Sequence, residues 1–423
     1  MDYFDLKREI EIVFGKKISN RHDCEAVSEA IYEKTKYILS YNTLRRLFQL
    51  AGLKSTTTIS NKTRDILANY CGYRFYDDFK NNNSKNPKKI YLYKLQLELQ
   101  QKEQFSIEFI ESCLEQIEDV EQLYILVNYI FVLAFERKDT EFLKQIFQLK
   151  RIFNGDDYLH AHLYFLIQSI GVQVQNHPEY AMKLWVCWAE DPRARFYYFE
   201  LFVDISRLVH SHYIGIEYYL NKSSKKQDLV FANALLTWRH ITLNDIDSAK
   251  AQLANIDNQE LLTDIHPIPA ARLLNCKISI DYLENGLVSN ALIQEVNTVY
   301  LHFKKNIHPF FEHFICEGLA LSSCYELALS YIQGAKKKTQ IFPNFYLIGS
   351  IERLKILEAY CLHRLGEKGK ANQIKKAIKL DQLDSFCKEY DSIFYYAIYK
   401  SNCPKKTIQQ IEHLGYRHLF DIL

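Results

Sequence analysis

Apolar positions three and four residues apart predict helices along this whole 423-residue chain. Asp2–Phe14 places Phe4, Ile10, Val13 and Phe14 together, and Gly15 ends that helix. Ser19 or Asn20 caps a second helix over Arg21–Lys34, whose apolar side includes Cys24, Val27, Ala30 and Ile31. Ser40 opens a short helix expected over Tyr41–Ala51, with Leu44, Leu47 and Phe48 apolar and Gly52 at its end. A polar loop, Ser55–Thr58, leads to a fourth helix in which Ile59, Ile66, Leu67 and Tyr70 share a face. Cys71-Gly72-Tyr73 ends it, and Phe75–Phe79 closes a small helical domain over residues 1–80.

Residues 81–89 are polar, contain Pro87 and read as a linker. Residues 90–423 form a second, all-helical body. Several segments there repeat the order helix, short polar turn, helix: Tyr124–Phe135 with Thr140–Leu149, Ala234–Leu243 with Ile246–Ile256, Phe310–Ser322 with Tyr325–Ala335, and Ile351–Leu365 with Lys370–Leu380. Ala249, Ala328 and Ala371 sit at the small-residue position of the second helix, with Gly366 in the turn ahead of Ala371. These hairpins resemble degenerate tetratricopeptide repeats. The marker alanines are not spaced by multiples of 34, and the tryptophan, glycine and proline markers are mostly missing. The resemblance implies an α-solenoid whose first helices line a groove for a peptide or protein partner.

Composition sharpens this picture. With 13 Gly and 8 Pro, the chain has less than half the usual share of about 12%, so its helices are long and its turns few. The net charge of +2 hides an asymmetry: residues 1–90 carry 17 Lys+Arg against 11 Asp+Glu, and the rest carry 36 against 40. A basic head on a mildly acidic body suits a polyanionic partner for the head alone. The ten cysteines are scattered without a C-x-x-C pair and read as reduced thiols of a cytoplasmic protein. No apolar run reaches the roughly 20 residues that cross a bilayer, so no membrane role is expected.

The basic excess concentrates in Lys34–Arg64, which holds Lys34, Lys36, Arg45, Arg46, Lys54, Lys62 and Arg64 and no acidic residue. At its centre lies Ser40-Tyr41-Asn42-Thr43-Leu44-Arg45-Arg46-Leu47. The hydroxyl, amide and guanidinium groups of such a helix are those that hold phosphates and read base edges. This octapeptide resembles the segment opening the recognition helix of lac-repressor-type helix-turn-helix proteins, Ser-Tyr-Gln-Thr-Val-x-Arg-Val. The resemblance implies that Tyr41 and Asn42 meet base edges, Arg46 a base or phosphate, and Ser40 and Thr43 a phosphate of double-stranded DNA. Arg45, Lys54, Lys62 and Arg64 complete the expected DNA-binding set. That family joins its two helices through a tight glycine turn, whereas Tyr32–Leu39 is longer and has no glycine.

Motifs for catalysis are sparse. Phosphate-binding glycine loops, H-E-x-x-H, G-x-S-x-G and kinase signatures are absent, so no enzyme activity, cofactor or metal is expected. His160 with His162, and His210 with His212, diverge by about 200° on a helix, which places one of each pair inside and the other outside. Arg207 and His212 match the R-x4-H spacing of HEPN-type ribonucleases, which are also all-helical. Arg195-Phe196-Tyr197-Tyr198-Phe199 and Phe394-Tyr395-Tyr396 read as core filling, and the lysines at 222–226 and 336–338 as solvated helix ends. The expectation is a homodimeric DNA-binding transcriptional regulator whose body senses a peptide or protein partner, or mediates assembly. The alternatives are a non-catalytic scaffold and a HEPN-like ribonuclease.

Overall fold

The computed structural model describes residues 3–48, 50, 59–83, 95–154, 161–256, 262–306, 309–341, 348–398 and 403–423, and no strand occurs among them. Packing divides the chain into two compact units, Met1–Lys102 and Glu103–Leu423. Most of the linker expected over residues 81–89 lies outside the described residues.

The first unit, the head, contains α1 (Phe4–Phe14), α2 (Arg21–Thr35), α3 (Tyr41–Leu47), α4 (Asn61–Tyr70) and α5 (Tyr76–Asn83), followed by α6 over residues 95–101. Leu6, Ile10, Val27, Ile31, Leu44 and Leu67 meet in its core, with Val13 and Phe14 of the side expected for α1 only partly buried against it. A capping box starts α2: the Asn20 side chain accepts from the Asp23 amide at 3.0 Å, and the Asp23 carboxylate accepts from the Asn20 amide at 3.2 Å. Lys16, at 2.8 Å, and the Ser19 amide hold the Asp23 carboxyl down to about 2. α3 is shorter than the expected Tyr41–Ala51. It stops at Leu47, where Phe48 packs onto the core and the Leu50 amide bonds back to the Arg45 carbonyl at 3.0 Å.

The second unit, the body, opens with α7 (Ile107–Glu115), α8 (Val120–Glu136), α9 (Thr140–Gln145), α10 (Ala161–Asn176) and α11 (Pro178–Glu190). A single turn, α12 (Pro192–Ala194), leads into a π-helical turn at Arg195–Glu200. A 3-10 turn (Ile205–Arg207) and a second π-helical turn (Leu208–His212) then precede α13 (Tyr213–Lys222). Four hairpins follow: α14 (Lys226–Thr242) with α15 (Ile246–Leu253), α16 (Pro267–Asn285) with α17 (Asn290–Phe303), α18 (Phe310–Leu321) with α19 (Tyr325–Ile341), and α20 (Ile348–Arg364) with α21 (Lys368–Lys376). The chain ends with α22 (Lys388–Ala397), α23 (Lys405–His413) and α24 (Arg417–Ile422).

Each first helix packs against its own second helix and against the next first helix, so α14, α16, α18 and α20 form a row. Every hairpin turn, including that of α8 and α9, uses one residue in the left-handed region: Lys138, Asn244, Gly286, Ser323 and Gly366. Ala249, Ala328 and Ala371 are the fourth residues of α15, α19 and α21, and all are fully buried. The pair α16/α17 was not foreseen, and it explains the long interval between Ala249 and Ala328. It supplies one more hairpin whose second helix buries Leu292 rather than an alanine near that place.

Asp384 ties the two ends of the body together. Its Oδ1 accepts from the Tyr164 hydroxyl of α10 at 3.1 Å and from the Gln168 amide at 3.2 Å. The start of α20 lies so close that a Cβ on Gly349 would sit 2.3 Å from the Asp384 carboxyl carbon. Burial raises the Asp384 carboxyl to about 6. A raised acid binds its proton more tightly in the folded chain, so its contribution is full below the unfolded value and is lost as pH rises through about 6. Asp384→Asn keeps an oxygen for both bonds and removes the charge. It should stabilise the protein at pH 8 by up to about 3 kcal/mol and change little near pH 4, as read from denaturant melts at the two pH values.

Candidate functional site

The surface of α3 follows from its sequence. Leu44 and Leu47 point into the head, which leaves Asn42 and Arg46, four residues apart, exposed on one face. Ser40 is the N-cap, its hydroxyl accepting from the Asn42 amide at 3.2 Å. Thr43 and Arg45 are half-buried, and Arg45 lies close enough to the buried Cys24 to oppose its rise in pKa. Tyr41 packs against the head core with the Arg21 guanidinium 5.2 Å from its ring, so its face is already covered. Lys62 is exposed at the start of α4, while Arg64 is half-buried, bonded to the Asn61 side chain and 5.2 Å from the Tyr76 ring. Lys54 lies outside the described residues.

The link between α2 and α3 replaces glycine with a strained lysine. Lys36 closes α2 at φ 61°, ψ 13°, its amide bonding to the Tyr32 carbonyl at 2.8 Å, and residues 37–40 then run to the Ser40 cap. The Ser28 hydroxyl donates to the Leu39 carbonyl at 2.5 Å and pins this link to α2.

Charge pairing separates the cations of the head into two sets. Lys16 pairs with Asp23, Arg21 with Glu25 and Arg8 with Asp5. Among the described residues, none of Lys34, Lys36, Arg45, Arg46 and Lys62 pairs with a carboxylate. Cationic side chains without internal counter-ions leave a positive surface for an external anion.

Comparison with protein-family models, curated proteins and solved structures finds no match. What can be said of the body therefore rests on its own geometry.

Two polar side chains of α14, at the start of the row of first helices, are engaged within the chain. Asn233 accepts from Gln252 of α15 at 2.6 Å, and the Arg239 guanidinium lies 3.8 Å from the centre of the Tyr213 ring. His313 is buried and held neutral, down to about 3, by burial and by Arg353. The row instead carries the chain's own α22. Tyr390 of α22 donates to Glu317 of α18 and accepts from the Trp238 indole of α14 at 3.2 Å. Arg353 of α20 bonds to Glu317, and its Nε lies 3.1 Å from Asp391 of α22, although that N–H does not point along the contact. Burial pushes the Asp391 carboxyl up to about 7 despite Arg353 beside it. Arg272 of α16 stacks on Phe314 at 4.4 Å and has no carboxylate partner among the described residues. Burial and Arg353 lower it to about 10.

The remaining candidates fall as follows. Arg207 and His212 line one cavity of about 210 Å³. Burial holds His212 unprotonated, down to about 3, which removes the acid half of an acid–base pair at neutral pH. His210 is exposed and His212 buried, and His160 lies outside the described residues. No group of three metal-ligating side chains gathers among the described residues. Nor is any helix there long and apolar enough to cross a membrane. All ten cysteines are free thiols. The lysines at 336 and 338 are not solvated ends: Lys336 pairs with Glu358, and Lys338 lies 2.6 Å from the buried Glu312. The Glu317–Arg353–Asp391 cluster was missed by sequence reasoning because its members come from three distant helices, and no local spacing marks them.

Two outcomes follow. Lys36→Gly relieves a left-handed L-residue, and slower amide exchange across α2 and α3 should show a gain of about 0.5–1 kcal/mol. Tyr390→Phe leaves Glu317 and the Trp238 indole each short of a partner. A thermal melt should show a loss of about 1–3 kcal/mol, and an unchanged melt would mean that α22 is not held there.

Proposed function

We propose that this protein is a DNA-binding regulator in which the head, built as a helix-turn-helix unit, meets double-stranded DNA through α3. The observation that carries this reading is the set of cations without internal counter-ions around an α3 face that exposes Asn42 and Arg46. Asn42 supplies the bidentate amide that suits adenine, and Arg46 the fork that suits guanine or a phosphate. Lys34, Lys36 and Lys62 supply charge for the backbone. The row of stacked hairpins supports reading the body as a tetratricopeptide-like array that pairs two copies of the chain, setting two heads about one DNA turn, roughly 34 Å, apart. A peptide partner of that array would take the place α22 now holds.

A second reading has its own observation. Tyr37 and Ile38, in the link before α3, are 54% and 84% exposed, which suits docking onto a protein in a scaffold.

Gel-shift and anisotropy measurements of the full chain on random-sequence duplexes separate the two. DNA binding should weaken steeply as salt rises. Arg46→Ala and Asn42→Ala should each cost about 1–3 kcal/mol on the selected sequence, whereas Lys62→Ala should weaken all sequences alike. Absence of binding at low salt, with the head folded by circular dichroism, sinks the DNA reading and leaves the scaffold one.

A further inference from the structure

The cavity beside Arg207 is built by unusual backbone. Tyr198 reaches it from the π-helical turn Arg195–Glu200, and His212 from the second π-helical turn, Leu208–His212. Between them Asp204 and Arg207 flank the 3-10 turn. Wide π turns are rare, cost helix regularity and gather at functional sites. Here two of them meet at one cavity. Its volume of about 210 Å³ falls below the roughly 300–1,000 Å³ of sites for drug-sized ligands, which limits an occupant to a single small ring system.

The polar groups of the cavity wall have capacity left over. The His212 Nε2 is buried and has no hydrogen-bond partner among the described residues. The Arg207 guanidinium pairs with Asp204 at 3.9 Å but makes no side-chain hydrogen bond among the described residues, which leaves its N–H groups able to donate. Asp204 accepts from the Gln175 amide at 2.6 Å and from the Arg207 backbone amide at 3.1 Å, which leaves one lone-pair site on each oxygen. Tyr198 accepts from the Trp185 indole at 3.1 Å and keeps its own proton to donate. Trp185, Tyr198 and His212 present ring surface, with ring centres 6.4 Å apart for each pair that includes His212.

Charge selects the occupant. One acid and one guanidinium line the same small space, and burial raises the Asp204 carboxyl to about 7 although Arg207 opposes the rise. Above that pH Asp204 opposes an anion, Arg207 opposes a cation, and aromatic walls favour a flat ring over an aliphatic one. We infer that this cavity is a binding site for a neutral, planar heterocycle with donor and acceptor edges, of the size and chemistry of a nucleobase. Asp204 would accept from its exocyclic amine or ring N–H, and Arg207 would donate to its carbonyl or ring nitrogen. His212 would bond the remaining edge, and the adjoining rings of Trp185 and Tyr198, joined by their hydrogen bond, would line one side of it. The site is separate from the proposed DNA surface on α3, and it reaches the C-terminal elements directly. The Ser206 amide donates to the Phe386 carbonyl at 3.0 Å, and the Tyr416 hydroxyl donates to the Ile205 carbonyl.

The test titrates the full chain with adenine, guanine, hypoxanthine, cytosine and uracil, with benzoate and benzylamine as charged rings of similar size. Tryptophan fluorescence, to which Trp185 contributes, and the melting temperature are followed. At least one base should quench fluorescence and raise the melting temperature, while the charged rings do neither. Asp204→Asn and Arg207→Gln should each weaken that binding tenfold or more. Ala181→Leu, which fills the cavity, should abolish it with the circular dichroism melt preserved. Arg46→Ala should leave it unchanged, because the head takes no part. A short single-stranded RNA that produces the same quench places the base on a strand, and a response to free nucleoside alone places it on a metabolite; both keep the site. Silence from all five bases at about millimolar concentration overturns the proposal. So does equal binding by Asp204→Asn, Arg207→Gln and the parent chain, or preference for either charged ring.

Discussion

The body depends on one buried cation. Arg353 lies between Glu317 and Asp391, so α18, α20 and α22 meet around a charge that little solvent screens. Burial opposes its charge, but Glu317 and Asp391 outweigh that and raise its pKa. Such a group permits little variation in geometry. Removing one partner of a buried pair costs about 3–5 kcal/mol, because the other charge is stranded, although the intact pair contributes little net stability. The cluster therefore specifies where α22 lies more than it stabilises the fold. Each hairpin has an apolar side that its neighbour covers, and the row α14, α16, α18, α20 would otherwise face water. Tyr390, Ile393 and Phe394 of α22, all but fully buried, supply the cover.

Legibility in the sequence follows the range of the interaction. Local signals were sufficient where the determinant is local. The Asn20 and Ser40 caps, the apolar sides of α2 and α4, and the separate hairpins at Ala234–Ile256 and Phe310–Ala335 all rest on contacts within a few residues. The pair α16/α17 was lost because α16 mixes polar and apolar residues around its circumference and buries both kinds, Asn275 and Ser279 as well as Ala270, Leu273, Leu274, Cys276 and Ile278, between two neighbouring first helices. A helix without separate polar and apolar sides gives no periodicity to read. Turn chemistry misled for a different reason. Lys36, Lys138 and Ser323 occupy left-handed positions where glycine is the expected marker, so the absence of glycine from Tyr32–Leu39 did not mean the absence of a turn. The α3 face was legible only in part: Asn42 and Arg46 are exposed, whereas Thr43 and Arg45 are half-buried and Tyr41 is covered by Arg21 from the preceding helix, a tertiary contact.

The segment from Asp204 to His212 shows how far a local irregularity is fixed from a distance. Its two ends are a 3-10 turn and a π turn, neither of which a helical sequence pattern favours. It holds its shape because the C-terminal elements bond to it: Phe386 and Tyr416 at Ser206 and Ile205, and Tyr390 through its amide to the Ser206 hydroxyl at 3.3 Å. Tyr390 also joins Glu317 and Trp238. One residue on α22, through its hydroxyl on one side and its backbone amide on the other, therefore connects the row of first helices with the irregular turns that line the cavity. Any shift of α22 on the row must either break a bond to Ser206 or carry the 204–212 segment with it. That is a contiguous physical path between two regions of the body, made of named bonds rather than proximity.

Head and body also solve the problem of positive charge differently, and this difference bears on what each meets. In the body, Lys250 pairs with Glu284, Lys277 with Glu295, Lys336 with Glu358 and Lys338 with Glu312. Such pairs leave little field beyond a Debye length of about 8 Å at physiological salt. In the head, Lys34, Lys36, Arg45, Arg46 and Lys62 of the acid-free run from Lys34 to Arg64 pair with no carboxylate among the described residues, while acids and bases pair elsewhere in the same unit. Exposed ion pairs are worth about 1 kcal/mol or less, so stability alone gives little reason to separate the charges this way. A polyanion does. Each phosphate met by an unpaired lysine or arginine releases a condensed counterion, and that gain is available only to cations not already neutralised by their own chain. A protein surface would gain more from the exposed Tyr37 and Ile38 than from this charge, and it would not require acidic residues to be absent for thirty positions. The charge pattern and the apolar link thus point to different partners, and the charge pattern is the more extensive of the two.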